Sequence, residues 1–156
     1  MTNTSAHAPV GRVAGIDYGT VRIGIAISDA RRTLASPLEN YTRRSQQLDG
    51  AHLARLAKEE QVSLFVVGLP VRIDGQESKK SLEVRRFGQW LQETTGAPVE
   101  YFDERYTSRE AQQLLGAANL SKQRRKERLD KLAAQILLTA YLESAGGVSA
   151  PGSLDD

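Results

Sequence analysis

Residues 13–29 read Val-Ala-Gly-Ile-Asp-Tyr-Gly-Thr-Val-Arg-Ile-Gly-Ile-Ala-Ile-Ser-Asp. Two runs rich in apolar and β-branched residues, VAGID and RIGIAIS, flank a short turn built on Gly19 and Thr20, which predicts a β-hairpin. Asp17 stands near the end of the first run. A charge inside a strand must be met by a cation, a donor network or a metal, although Asp is also a common turn residue.

Working outward, Thr33 to Tyr41 reads as a third strand, irregular at Pro37, which suits a sheet edge. Ser45 to Glu60 carries a helical stripe of Leu48, Leu53, Leu56 and Ala57, with Gly50 as a weak point. Val62 to Gly68 is short and almost entirely apolar, the pattern of a central strand covered on both faces, and it is expected beside the first strand. Leu69-Pro70 closes it. Val71 to Lys80 is then a polar loop turning at Gly75, expected at the edge of the site.

Ser81 to Thr95 predicts a helix through Leu82, Val84, Phe87, Trp90, Leu91 and Thr94, capped by Gly96. Phe87 and Trp90 read as core, with packing preferred to base stacking. Val99 to Phe102 is a short strand leading into Asp103-Glu104-Arg105, and Thr107 to Glu110 forms a capping box for another helix. Gly116 to Arg125 breaks the periodicity and reads as a basic, mobile loop over the site. About Lys126 to Ser144 is the last helix, burying Leu129, Leu132, Ala133, Ile136, Leu137 and Ala140. The order β-β-β-α-β-α-β-α-α makes an α/β domain, expected over residues 12–145 between a disordered leader, 1–11, and a flexible tail, 146–156.

At 156 residues the chain suffices for one domain that buries roughly two thirds of its unfolded surface. Cysteine is absent, which excludes disulfides and zinc sites of the Cys/His type and suits the cytoplasm. No apolar run approaches the ~20 residues that span a bilayer, and the polar N-terminus lacks the pattern of an export signal. The net charge of +2 announces no nucleic-acid partner by itself. Distribution says more: between Ser121 and Lys131 six cations, Lys122, Arg124, Arg125, Lys126, Arg128 and Lys131, face only Glu127 and Asp130.

Two enzyme classes place an acid where Asp17 stands: polynucleotidyl hydrolases of the ribonuclease H-like fold, and actin-like or sugar-kinase ATPases whose glycine hairpins cradle phosphates. Four motifs choose between them. GIDYGTVRIGIAISD, then VVGLP at Val66 to Pro70, FDER at Phe102 to Arg105, and DKLAAQIL at Asp130 to Leu137 together resemble the YqgF/RuvX family, in order, across residues 13 to 142. That family is described as Holliday-junction resolvases and as nucleases maturing the 5′ end of pre-16S ribosomal RNA. The resemblance implies a ribonuclease H-like fold with a five-stranded mixed sheet in the order 3-2-1-4-5 and helices on both faces. It also gives the Asp103-Glu104-Arg105 motif catalytic importance.

Phosphodiester hydrolysis needs an activated water and a neutralised leaving oxygen, which two divalent ions about 4 Å apart can supply. Mg²⁺ and Mn²⁺ prefer carboxylate and water oxygens. Asp17, Glu104 and Asp130 are therefore the expected catalytic and metal-binding residues, with Asp103 as the alternative to Glu104, since strand alternation sends the two to opposite faces. Asp130 shares a helix face with Ala133, Ala134 and Leu137, although an acid in a first helical turn also complements the helix dipole. Arg22 and Arg105 read as phosphate-binding groups or as partners of the acids. Lys122, Arg124, Arg125, Lys126 and Arg128 are expected to hold a nucleic-acid backbone without base specificity. Asp29 reads as a turn residue or as one supporting the site from behind.

The expected function is thus a metal-dependent nuclease acting on structured RNA (pre-16S rRNA), on branched DNA, or on both, and a junction cutter would be expected to work as a homodimer. The rivals are an actin-like ATPase or phosphotransferase half, disfavoured because those enzymes close a cleft between two such domains, and a nucleic-acid-binding module without catalysis.

Overall fold

The computed structural model describes residues 11–72, 74–107 and 122–145, and the side chains of the last helix from 132 to 144. The hairpin forms as the alternation requires. Strand β1 (Arg12–Asp17) pairs antiparallel with β2 (Arg22–Ser28), with Asp17 opposite Gly24. Strand β3 (Ala35–Thr42) pairs antiparallel with β2, and the register shifts between Ile25 and Ala26, next to Pro37. That irregularity is tolerated because β3 is an edge strand.

Helix α1 (Gln46–Glu59) follows, N-capped by Ser45, whose hydroxyl accepts from Leu48 N at 3.1 Å. Strand β4 (Val62–Leu69) lies parallel to β1. Helix α2 (Lys79–Thr95) begins two residues earlier than the periodicity suggests, because Ser78 and Ser81 form a capping box; Gly96, at φ 80°, ends it in the left-handed conformation. Strand β5 (Val99–Asp103) pairs parallel with β4, one 3₁₀ turn occupies Glu104–Thr107, and helix α3 spans Lys122–Ala145. The sheet order is β3-β2-β1-β4-β5, as expected. The helix anticipated after Thr107 lies outside the described residues.

Parity along the strands divides the core in two. Ala14, Ile16, Phe65 and Val67 pack with Leu53, Leu56, Val84, Phe87 and Leu91 under α1 and α2. Val13, Leu64 and Val66 pack with Ala134, Leu138 and Leu142 of α3 on the other face. Gly15 is the seat of α3: a Cβ there would lie 2.9 Å from Leu138 Cβ and 3.1 Å from the Ala134 carbonyl. Polar tethers hold the helix across the sheet, from the Gln135 amide donating to Ala35 O (3.1 Å) to Tyr141 donating to Glu100 (2.8 Å).

Three sequence expectations are corrected. Lys122 to Arg125 belong to α3 and not to a loop. Leu48 and Leu82 are about half exposed, because the stripes that bury are Leu53–Leu56–Ala57 and Val84–Phe87–Leu91. Trp90 is half-buried at the rim of the core, while Phe87 is inside it. Gly50, read as a weakness of α1, is where α2 approaches: a Cβ would lie 3.2 Å from Thr94 Cγ2 and 3.3 Å from Trp90 Cζ2.

Candidate active site

The carboxyl ends of the parallel strands β1, β4 and β5 meet at one edge of the sheet, the usual place for a site in α/β folds. Asp17, the last residue of β1, has the same parity as Val13 and Gly15 and so belongs to the face covered by α3. Glu104 comes just after β5, where the chain enters the 3₁₀ turn, and its side chain folds over Gly68 of β4. A Cβ on Gly68 would lie 2.7 Å from Glu104 Oε2. The absent side chain is therefore what gives Glu104 its position.

Burial raises the Glu104 carboxyl to about 7, and the negative charges of Asp17 and, more weakly, Asp103 push the same way; the Lys80 ammonium opposes them. Asp17 and Glu104 thus share an electrostatic neighbourhood. Asp103 is engaged differently. Arg105 grips its carboxylate through Nε (2.9 Å) and a terminal nitrogen (2.6 Å), and the Arg105 backbone N–H donates to it at 2.9 Å. These bonds hold the Asp103 carboxyl below its ordinary range. Arg105 also donates to the Arg72 carbonyl at 3.4 Å, tying the end of β5 to the loop after β4.

The other sequence candidates scatter. Arg22 is exposed at the start of β2, at the Asp17 end of the hairpin. Asp29 is at the opposite end of the sheet, where it accepts from Thr33 N and Thr33 Oγ1 (both 2.7 Å) and Leu34 N (3.1 Å). Those bonds lower its carboxyl to about 2, and they make it a turn residue. Asp130 and Lys122, Arg124, Arg125, Lys126 and Arg128 lie on the backbone of α3, one or more turns before Ala134, and their side chains are outside the described residues.

Sequence reasoning missed the groups around Tyr18, the residue after Asp17. The Tyr18 hydroxyl donates to Glu83 at 2.6 Å, and Arg43 and Lys80 lie 5.3 and 5.4 Å from its ring centroid. Arg43 is anchored to the Gly19 carbonyl (3.1 Å) and to buried Asp49 (3.4 Å), which also accepts from Tyr41 and from the Arg44 backbone. Lys80 had one legible signal, its place in the first turn of a helix following a loop at the site's edge.

Among the described residues no three His, Asp or Glu side chains form a ready cluster. The pair present nevertheless fits: hard carboxylate oxygens, one of them buried and destabilised as an anion by the other, are what a divalent ion stabilises.

Comparison with known proteins follows the same lines. The family model described as "RuvX: Holliday junction resolvase" matches residues 11–144. A protein of Rhodopirellula baltica named "Putative pre-16S rRNA nuclease" is 46% identical over 134 residues, covering 86% of this chain and 78% of its own length. One of the same name from Rhodobacter capsulatus is 39% identical over 144 residues, covering 92% and 91%. Among solved structures, T. thermophilus RuvC in complex with Holliday junction substrate superposes with a TM-score of 0.57 at 15% identity, covering 88% of this chain and 97% of that one, a likeness of fold.

Proposed function

Because the chain belongs to the RuvX family, we propose that it is a nuclease that hydrolyses phosphodiester bonds in structured nucleic acid, with pre-16S rRNA as the substrate. The observation that carries this reading is the meeting of Asp17 and Glu104 on one face of the sheet edge, where burial and mutual repulsion raise the Glu104 carboxyl to about 7. Two relatives bearing the rRNA nuclease name at 46% and 39% identity support the substrate. The family description favours branched DNA as a second reading.

Asp17 and Glu104, joined by Asp130 from α3, would hold Mg²⁺ or Mn²⁺. A divalent ion bound there supplies an acidified water and charge neutralisation at the leaving oxygen. Within the chain's own groups, Glu104 is held in place by its fit over Gly68, so little reorganisation is needed as charge develops. Arg105 occupies Asp103 and keeps it ionised, leaving Glu104 as the acid that faces Asp17. Lys80 brings a positive charge to the same edge, suited to a non-bridging phosphate oxygen. Arg22 and the basic first turns of α3 would track the backbone beyond it. A junction substrate, with two strands to cut, would call for two copies of the chain. Among the described residues no helix is long and apolar enough to cross a membrane, and rRNA processing would place the protein in the cytoplasm.

The test is cleavage of end-labelled pre-16S 5′-leader RNA and of a four-way DNA junction, side by side, in Mg²⁺, Mn²⁺ or EDTA. Cutting of RNA that needs metal and falls by at least about a hundredfold in Asp17→Asn is expected. Symmetric cutting of the junction alone would move the assignment to branched DNA. Asp17→Asn activity equal to wild type would overturn the nuclease reading.

A further inference from the structure

On the other face of the same edge lies a cleft that the proposed chemistry leaves unused. It is lined by Tyr18, Arg43, Glu83, Arg86, Phe87 and Trp90 and has a volume of about 270 Å³, below the ~300 Å³ at which drug-sized ligand sites begin. Three of its walls are aromatic: Tyr18 and Phe87 have ring centroids 4.7 Å apart, and Phe87 and Trp90 5.6 Å. Its charge is net positive, because Arg43 and Arg86 in the lining and Lys80 beside the Tyr18 ring outnumber the carboxylate of Glu83, which accepts the Tyr18 hydroxyl. Arg86 is exposed, and among the described residues it has no hydrogen-bond or ion-pair partner. Trp90 is half-buried and presents part of its indole to the cleft.

Aromatic faces interleaved with cations are the chemistry that takes single-stranded nucleic acid, the bases stacking and the phosphates meeting the charges. The size admits one base. Position supplies the register, since Tyr18 follows Asp17 directly and alternation sends the two side chains to opposite faces of β1. A strand crossing the sheet edge at Asp17 passes from the acids into this cleft. We propose that the cleft receives one unpaired nucleotide flanking the bond to be cut, its base stacked on Trp90 and its backbone held by Arg86 and Lys80. The position beside the cut bond rests on the nuclease reading above; the capture of an unpaired base does not.

The chain has a single tryptophan, so its intrinsic fluorescence reports this cleft. Full-length Asp17→Asn protein is titrated with single-stranded ten-nucleotide RNA and DNA and with a blunt DNA duplex, and anisotropy of labelled oligonucleotide registers binding in parallel. Trp90 quenching that saturates with single-strand binding but is absent with the duplex is expected, and RNA and DNA arms identify the preferred strand. Arg86→Ala should weaken single-strand binding about tenfold at unchanged melting temperature, and Trp90→Leu should weaken it about as much while Trp90→Phe retains most of it. Binding without quenching, no single-strand binding, or unchanged affinity in Arg86→Ala overturns the proposal. Cleavage by the wild-type protein without quenching would overturn the cleft and leave the nuclease intact. Quenching without cleavage in any metal would support the cleft and overturn the nuclease.

Discussion

Glu104 lies so close over Gly68 that a single added carbon at residue 68 would stand 2.7 Å from its carboxylate oxygen. A glycine one residue from the end of a buried strand thus controls where an acid just beyond the neighbouring strand can sit. Gly68→Ala should lower cleavage by at least about tenfold, since misplacement of a catalytic group by about 1 Å can cost a hundredfold. The melting temperature should change little, because the atoms displaced belong to one side chain and not to the backbone. Steady-state cleavage and thermal melting of the same preparation check both halves.

The raised Glu104 carboxyl makes the metal-free protein pH-sensitive. Its value is about 7 in the folded chain against 4.5 as the ordinary value, so between those pH values the folded state holds more proton than the unfolded one. Stability contributed by the protonated form is complete below about pH 4.5 and is lost as pH rises through about 7, by at most about 3 kcal/mol. Denaturant melts in EDTA should show this loss, and Glu104→Gln should abolish it. Asp17→Asn should shrink it, since the Asp17 charge is a cause of the shift.

Asp29 works the other way. Its carboxyl is lowered to about 2 by bonds from Thr33 and Leu34, so its support of the turn is present above about pH 4 and is lost as pH falls towards 2. Asp29→Ala should lower the melting temperature at pH 7 and leave cleavage unchanged, because Asp29 lies at the end of the sheet away from Asp17. A fall in activity at saturating metal would place Asp29 in the site instead.

Gly15 sets the distance between α3 and the sheet. Gly15→Ala brings a methyl group to 2.9 Å from Leu138 Cβ, and overpacking of this kind costs roughly 1–3 kcal/mol. The helix carries Asp130, so cleavage should fall as well. Denaturant unfolding and cleavage rate of the same variant check both losses; Leu138→Ala should not relieve them, because alanine keeps the Cβ that the new methyl group meets.

Much of the fold was legible along the chain. The alternation in residues 13–29 made the hairpin, the apolar run at Val62 made the central strand, and Gly96 marked the end of α2. Sheet order came from family resemblance, because alternation of elements does not say which strands are neighbours. The start of α2 at Lys79 was missed, since Ser78 and Ser81 cap reciprocally through bonds that periodicity does not register. Lys122 to Arg125 read as a loop because their polarity hid the helical backbone.

By itself the sequence determined that the strand at Val62 would be covered on both faces, that Asp17 would stand near the end of a strand, and that Asp103 and Glu104 would lie at the end of another. These follow from periods of two and 3.6 residues, which are local properties. Only the tertiary structure decided which acid meets Asp17. Arg105, two residues on, captures Asp103, while Gly68, thirty-six residues earlier, leaves the space that Glu104 fills. It also decided that Trp90 stands at the rim of a basic cleft and not inside the core. Contact between residues distant in sequence depends on strand register and helix approach, and a one-dimensional pattern carries neither.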